Sequence, residues 1–250
     1  PAAVQQTGAT LLSIPAASVT VYPTLMGGGL GRKIEQDYVS QAIQVAKAIG
    51  KPVKLTWTRE EDMQHDMYRP MAVSRIQIGI DQNGAISAWN NRIVAPSLSL
   101  QRGRALAATG DGIATEGSAH RPYNLPNRFI DYAVHPSPVP VGYWRSVGNS
   151  INTFAVESAV DEAAALLKVD PLAFRRLLLT NSTDPLAART LTVLNAAATL
   201  GGWGTPVTAG RARGLALSNG FGSIVAEDHS SLRNRRCRIR RTSTSIRAVA

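Results

Sequence analysis

The 250-residue chain predicts an α+β fold of mixed strands and helices. Three observations carry that expectation. Strand-length runs of β-branched and aromatic residues lie mostly in the first 130 or so residues, and a block of capped helical segments follows between about 149 and 200. The 44% apolar content suffices for a proper core.

The elements follow in order. Val19 to Leu25 reads as a strand, and the apolar spacing Ile34, Tyr38, Ala42, Val45, Ile49 marks a helix with one buried face over Ile34 to Ile49. Gly50 and Pro52 end it, and Val53 to Trp57 reads as a second strand. Thr58 to Met63 has the pattern of a solvated, charged turn that starts a helix. Val73 to Ile80 and Ala85 to Val94 flank Asp81-Gln82-Asn83-Gly84 as a hairpin, after which 96–128 shows little periodicity and reads as a long loop. Pro136, Pro138 and Pro140 deliver an extended arm into Tyr143-Trp144-Arg145-Ser146-Val147-Gly148. Asn149 or Ser150 can cap a helix running to Lys168, Asp170-Pro171 caps a second, and Asp184-Pro185 caps a third reaching Leu200. Gly201-Gly202-Trp203-Gly204 breaks the pattern, and Gly214 to Ala226 reads as one strand bent at Gly220 and Gly222. Beyond Ala226 the composition is that of an unfolded tail.

The most informative stretch is Leu25-Met26-Gly27-Gly28-Gly29-Leu30-Gly31-Arg32-Lys33, placed between the first strand and the first strongly amphipathic helix. Glycines bare the backbone, and a following helix N-terminus offers N–H groups to anionic oxygens, so the run reads as a cradle for a phosphorylated ligand. A ligand-free glycine turn is the plain alternative. The run does not match G-x-G-x-x-G, because Arg32 stands where the third glycine belongs, and it ends without the Gly-Lys-Ser/Thr of a phosphate-binding loop. Trp144-Arg145 likewise admits a bland reading as an apolar anchor beside a solvated guanidinium.

Charge narrows the classes. The net charge is +10, from 27 basic and 17 acidic residues. Seven arginines fall after Ser230, so residues 1–229 hold 20 basic groups against 17 acidic, a net of +3. No aromatic residue interleaves the basic tail, which argues against nucleic-acid binding. The lone Cys237 permits no disulfide framework and no cysteine-held cluster, and His65, His120, His135 and His229 show no metal-ligand spacing. No protein-ligated metal is expected. Trp144 also stands where G-x-S-x-G would require glycine before Ser146. No apolar run is long enough to span a membrane.

Taken in order, the motifs resemble the molybdenum-binding large subunit of the xanthine oxidase family, in particular its isoquinoline 1-oxidoreductase and aldehyde-oxidising branch. The pieces are Met26 to Lys33, Gly50-Lys51-Pro52-Val53, Thr58 to Met63, Tyr68-Arg69-Pro70, Tyr123-Asn124-Leu125-Pro126-Asn127, Gly142 to Gly148, and Glu157-Ser158 through Asp161-Glu162 to Asp170 to Arg175. The resemblance covers roughly residues 4 to 226 and divides the chain into a first cofactor-binding domain at 1–200, the start of a second at 201–226, and a basic tail at 227–250. It implies a bacterial oxidoreductase holding molybdopterin with molybdenum, in the cytosine dinucleotide form, and acting on a small aldehyde or N-heterocycle in the cytoplasm or periplasm. With no cysteine set in this chain, iron–sulfur clusters would sit on a small partner subunit.

Carried over by position, Gly28, Gly29, Leu30, Gly31 and Arg32 match one cofactor-binding loop, and Trp144, Arg145 and Ser146 match a second. Most relatives have Phe where this chain has Leu30. Ile34 replaces the acid of the purine hydroxylases, and their purine-orienting arginine would fall near Ala114, so xanthine is not the expected substrate. The family's glutamine and catalytic glutamate would fall before Pro1 and beyond Ala250. No catalytic residue is therefore expected within the chain, which reads as a fragment whose tail after Ala226 has the look of a shifted reading frame. The competing class is a non-catalytic α+β binding or scaffold protein with an anion-binding tail.

Overall fold

A helix can be written into a sequence by its own caps, whereas a strand needs a neighbour, and the first 70 residues show the difference. In the computed structural model, which describes residues 1–232, the chain forms two units by its internal contacts. One joins Pro1–Pro70 to Ser137–Arg145, and the other joins Met71–Pro136 to the described residues from Ser146 onward.

The first unit is helical and irregular. Helix α1 spans Ala2–Leu12 and stops where Ser13 turns left-handed at φ 57°. The Gln5 amide donates to the carbonyls of Ala16 and Val19, both at 2.9 Å, which fixes the chain reversal after the helix. Helix α2, Asp37–Ile49, is closed by Gly50 at φ 68° as its sequence predicts. It starts three residues later than expected, because Arg32–Ile34 forms a separate 3-10 turn ahead of it. Helix α3 spans Arg59–His65, and the Thr58 hydroxyl caps it by accepting from the Glu61 N–H at 3.2 Å.

The two strands expected at Val19 to Leu25 and Val53 to Trp57 do not form. Both segments are extended, but no described strand of this unit lies alongside to complete a ladder, and β-propensity without a partner specifies only an extended chain. Instead the arm 137–145 lies along 67–69. The Tyr68 N–H donates to the Pro140 carbonyl at 2.8 Å, and the Gly142 N–H donates to the Tyr68 carbonyl at 2.9 Å.

The second unit holds the core. Strands β1 (Val73–Ile80) and β2 (Ile86–Ala95) form the expected hairpin, with the Asp81 carboxylate accepting from the N–H groups of Asn83 and Ala85 at 2.9 Å. Region 96–128 is not one loop, since it contains short helices α4 (Leu98–Gln101) and α5 (Gly112–Thr115). Strand β3, Arg128–Val134, then pairs parallel to β2 and gives the sheet order β1-β2-β3.

Helices α6 (Asn149–Leu166), α7 (Pro171–Thr180) and α8 (Ala187–Leu200) come next. Asp170 caps α7 as expected, accepting from the Leu172 and Ala173 N–H groups. The expected caps of the other two differ. Gly148, without a side-chain bond, precedes α6, and Asp184 accepts from the Leu186 N–H in a turn that ends before α8 begins. Residues 214–226 form not one strand but a hairpin of β4 (Arg211–Gly220) and β5 (Ser223–Leu232). Phe221 at φ 51° and Gly222 at φ 76° make the two-residue turn that a right-handed ladder favours. Irregular chain from Ala226 onward is thus corrected over 227–232, and the rest of the arginine-rich tail lies outside the described residues.

Ile76, Ile78, Ile80, Ile86 and Trp89 of the sheet meet Val156, Ala159, Val160 and Ala163 of α6, with Phe174, Leu194, Leu215 and Leu217 from the later elements. Among the described residues no helix is long and apolar enough to cross a membrane.

Candidate functional site

The glycine run and the Tyr143-Trp144-Arg145 arm meet within the first unit. Gly31 has φ 96°, and a Cβ placed there would lie 2.0 Å from the Tyr143 carbonyl oxygen and 2.5 Å from its carbon. Only glycine permits that approach. Gly27 (φ 41°) and Leu30 (φ 51°) are also left-handed, so the run is a tightly reversed loop rather than the end of a strand. Gly28 is open to solvent, Gly29 is half-buried, and the Leu30 side chain is 63% exposed.

The arm is held by the segment after α3. The Trp144 indole N–H donates to the Met67 carbonyl at 3.2 Å, and the Arg69 guanidinium stacks 4.9 Å from the Trp144 ring centroid. A side chain at Gly142 would strike Met67 at 2.4 Å. Neither Met67 nor Arg69 is expected at the site from sequence, although Tyr68-Arg69-Pro70 stands out as a motif. Glu35, 8% exposed beside Gly142, is the other unheralded polar group of this junction.

Arg32, expected in the cofactor-binding loop, is engaged by two carboxylates. Its terminal nitrogens donate to both Asp37 carboxylate oxygens at 2.8 and 2.9 Å, while its Nε faces Asp66 at 2.5 Å. Tyr38 and Trp57 flank the same guanidinium at 5.5 and 5.8 Å. Burial opposes its charge, but the hydrogen bond and field of Asp37, with Asp66 and Glu35 behind it, outweigh burial and raise its pKa. The same Asp37 carboxyl is lowered: burial works against it and Arg32 overrides that. Both edges of the guanidinium are engaged, so its side chain clamps the loop to α2.

Of the other positions, Arg145 is exposed at the end of the arm, while Ser146, at φ 73°, belongs to the second unit. Gly31, Trp144 and the backbone around them are therefore brought together directly. Beside the Arg32 clamp, a cavity of about 390 Å³ is lined by Lys33, Tyr38, Ile43, Leu55 and Trp57. Among the described residues no group of three His, Cys, Asp or Glu side chains could hold a metal ion.

Comparison with known proteins identifies the family. Residues 1–179 match the molybdopterin cofactor-binding domain, and the chain belongs to that family, within the molybdenum-binding proteins of the xanthine oxidase type. It is 31% identical over 240 residues to isoquinoline 1-oxidoreductase subunit beta of Brevundimonas diminuta, covering 92% of this chain and 30% of that protein. It is 33% identical over 184 residues to a membrane-bound aldehyde dehydrogenase of Gluconacetobacter polyoxogenes, covering 68% of this chain and 23% of that one. Among solved structures, quinoline 2-oxidoreductase from Pseudomonas putida shares the fold with a TM-score of 0.69 at 19% identity, covering 87% of this chain and 30% of that chain. The α+β expectation holds, and the chain spans about 30% or less of the length of these relatives.

The residues present fit the group. A side chain at Gly31 would fill the contact between the two loops, and the bare 27–29 backbone leaves main-chain groups open to an incoming ligand.

Proposed function

We propose that the glycine loop and the Trp144 arm form one wall of a molybdopterin site in an oxidoreductase acting on an aldehyde or an aromatic N-heterocycle. One observation carries this: Gly31 sits on the Tyr143 carbonyl, so the two loops form a single surface. The backbone of Gly28, Gly29, Leu30 and Gly31 would face the cofactor together with Trp144 and Arg145 of the same unit. When bound, molybdopterin supplies the redox chemistry, and the protein supplies orientation and charge. Arg32 holds the shape of the loop through Asp37 and Asp66. Arg145, exposed and cationic, would be the side chain to meet a phosphate.

The names of the two relatives support the substrate class, one being an isoquinoline oxidoreductase and the other an aldehyde dehydrogenase. We extend the reading to the cytosine dinucleotide form, to an iron–sulfur partner subunit, and to residues 201–226 as the start of a second cofactor-binding domain. That relatives are named as beta and gamma subunits agrees with a multi-subunit assembly.

Elemental analysis and pterin fluorescence on the native protein test the assignment. Molybdenum and pterin in equimolar amounts with protein are expected. Preparations folded by circular dichroism but lacking both would favour the non-catalytic scaffold instead.

A further inference from the structure

Asn-Gly occurs twice in the chain, at Asn83-Gly84 and at Asn219-Gly220. An asparagine followed by glycine can close on the backbone, because no side chain on the second residue screens its nitrogen from the carboxamide carbon. Both copies belong to the second unit, but their surroundings are opposite.

Asn83 lies in the turn between β1 and β2 and is exposed. Its backbone N–H donates to the Asp81 carboxylate at 2.9 Å, but among the described residues no hydrogen bond holds its side-chain carboxamide. The Gly84 N–H donates to the Asp81 carbonyl at 3.0 Å, and releasing that turn bond frees the nitrogen to approach the side chain. Opening one surface turn takes much less free energy than unfolding the core. Asn219 is held in two ways. It is half-buried near the end of β4, where its Oδ1 accepts from the buried Arg121 at 3.4 Å. Gly220 pairs with Ser223 in the β4–β5 ladder, so the ladder and the side-chain bond must both open before the nitrogen can attack.

We propose that Asn83 is a site of spontaneous amide loss, which converts the first hairpin turn into an isoaspartyl turn. The Gly84 nitrogen gives up its proton to the solvent and bonds to Asn83 Cγ, and the Cγ–Nδ2 bond breaks with release of ammonia. Water then opens the cyclic imide. Cleavage at Cγ leaves an ordinary aspartate, whereas cleavage at the main-chain carbonyl leaves the backbone running through Cβ and Cγ, one methylene longer. One water enters and one ammonia leaves, with no change of oxidation state.

The turn has no slack for that methylene. The Asp81 N–H donates to the Ala85 carbonyl at 2.9 Å, while the Asp81 carboxylate accepts from the N–H groups of Asn83 and Ala85. Turn length sets the register of the hairpin, and this hairpin delivers Ile78, Ile80, Ile86 and Trp89 to the core. Chemical ageing at one exposed residue therefore loosens the second unit, whether or not the first-unit loops hold molybdopterin.

The full chain, kept folded at mildly alkaline pH, is sampled over time and mapped by peptide mass spectrometry that separates aspartyl from isoaspartyl products. Conversion at Asn83 is expected to run about tenfold or more ahead of that at Asn219, and to quicken as pH rises because the attacking nitrogen must lose its proton. In urea, where neither turn nor ladder stands, the two sites should convert at similar rates. The aged chain should unfold at a lower urea midpoint than the fresh one. Asn83→Asp, with the product's charge and an unaltered backbone, should stay near the parent, and Asn83→Gln should remove both the conversion and the loss on ageing. Equal rates at the two sites in the folded chain overturn the proposal, as does an amide at 83 that persists. An Asn83→Asp chain as unstable as the aged one overturns the isoaspartyl turn.

Discussion

At the residue scale the informative group is Gly31, because its backbone and its neighbour both forbid a side chain. A residue with a Cβ at φ 96° carries roughly 1–3 kcal/mol of backbone strain, before the 2.0 Å overlap with the Tyr143 carbonyl is counted. Gly31→Ala should therefore destabilise the chain by at least about 2 kcal/mol and lower the pterin recovered with it. Gly28→Ala is the control, since its nearest contact would be an ordinary 3.8 Å and its φ is not left-handed. Denaturant melts of both variants check this, and equal effects would refute the special role of Gly31. The glycine run is legible in the sequence as a cradle, but the partner that makes one glycine obligatory is not, because Tyr143 lies 112 positions away. Arg32 shows the same limit. Its charge is visible, but its capture by Asp37 and Asp66 depends on the path of the intervening chain.

At the element scale, the parts that read correctly are those whose signals are local. Thr58 and Asp170 cap their helices, and Asp81 with Gly84 closes the first hairpin, because a cap or turn is settled within four residues. The sequence misleads at 19–25 and 53–57 because strand pairing is decided elsewhere, and it hides β3 because the partner β2 lies across a long irregular connection.

The join between elements is a buried charge cluster. Glu157 of α6 accepts from Arg175 Nε of α7 at 3.0 Å, from the Tyr123 hydroxyl at 3.1 Å, and from the Leu217 N–H of β4 at 2.9 Å. Arg175 is fully buried; burial opposes its charge, yet Glu157 and Asp161 hold its pKa above the ordinary value. Tyr123 is pushed well up by burial and then by Glu157, so its hydroxyl remains a donor. Removing one partner of such a buried pair typically destabilises by about 3–5 kcal/mol, whereas replacing both with apolar residues is often neutral. Glu157→Leu should lose stability on that scale, and adding Arg175→Met should recover only part of it, because the Tyr123 hydroxyl and the Leu217 N–H still lack their acceptor. A double-mutant cycle by urea denaturation measures this. A single-variant loss below about 1 kcal/mol would show that the cluster does not join α6, α7 and β4.

At the scale of the whole molecule, buried apolar surface is distributed unevenly. In the first unit only Gly8, Ala9, Glu35, Val141 and Gly142 are buried, and α2 buries no residue at all. The second unit contains the full hydrophobic cluster, from Trp89 at 1% exposure to Ala159 at 0%. Protection from hydrogen exchange follows buried contact and the opening free energy it supports. Amides of β2 and of α6 between Val156 and Ala163 should exchange only by global unfolding. Those of α2 should exchange through local opening with free energies several kcal/mol lower, even though α2 is well capped at Gly50. Bound molybdopterin, as a ligand of the folded state, should raise protection first at Gly28 to Gly31 and in the arm at Trp144, and then in α2 through the Arg32–Asp37 clamp. Native-state exchange followed by mass spectrometry, with and without cofactor, reads both effects. Uniform protection across α2 and α6 in the cofactor-free chain would contradict the burial argument. A cofactor effect confined to the second unit would place the ligand away from the glycine loop.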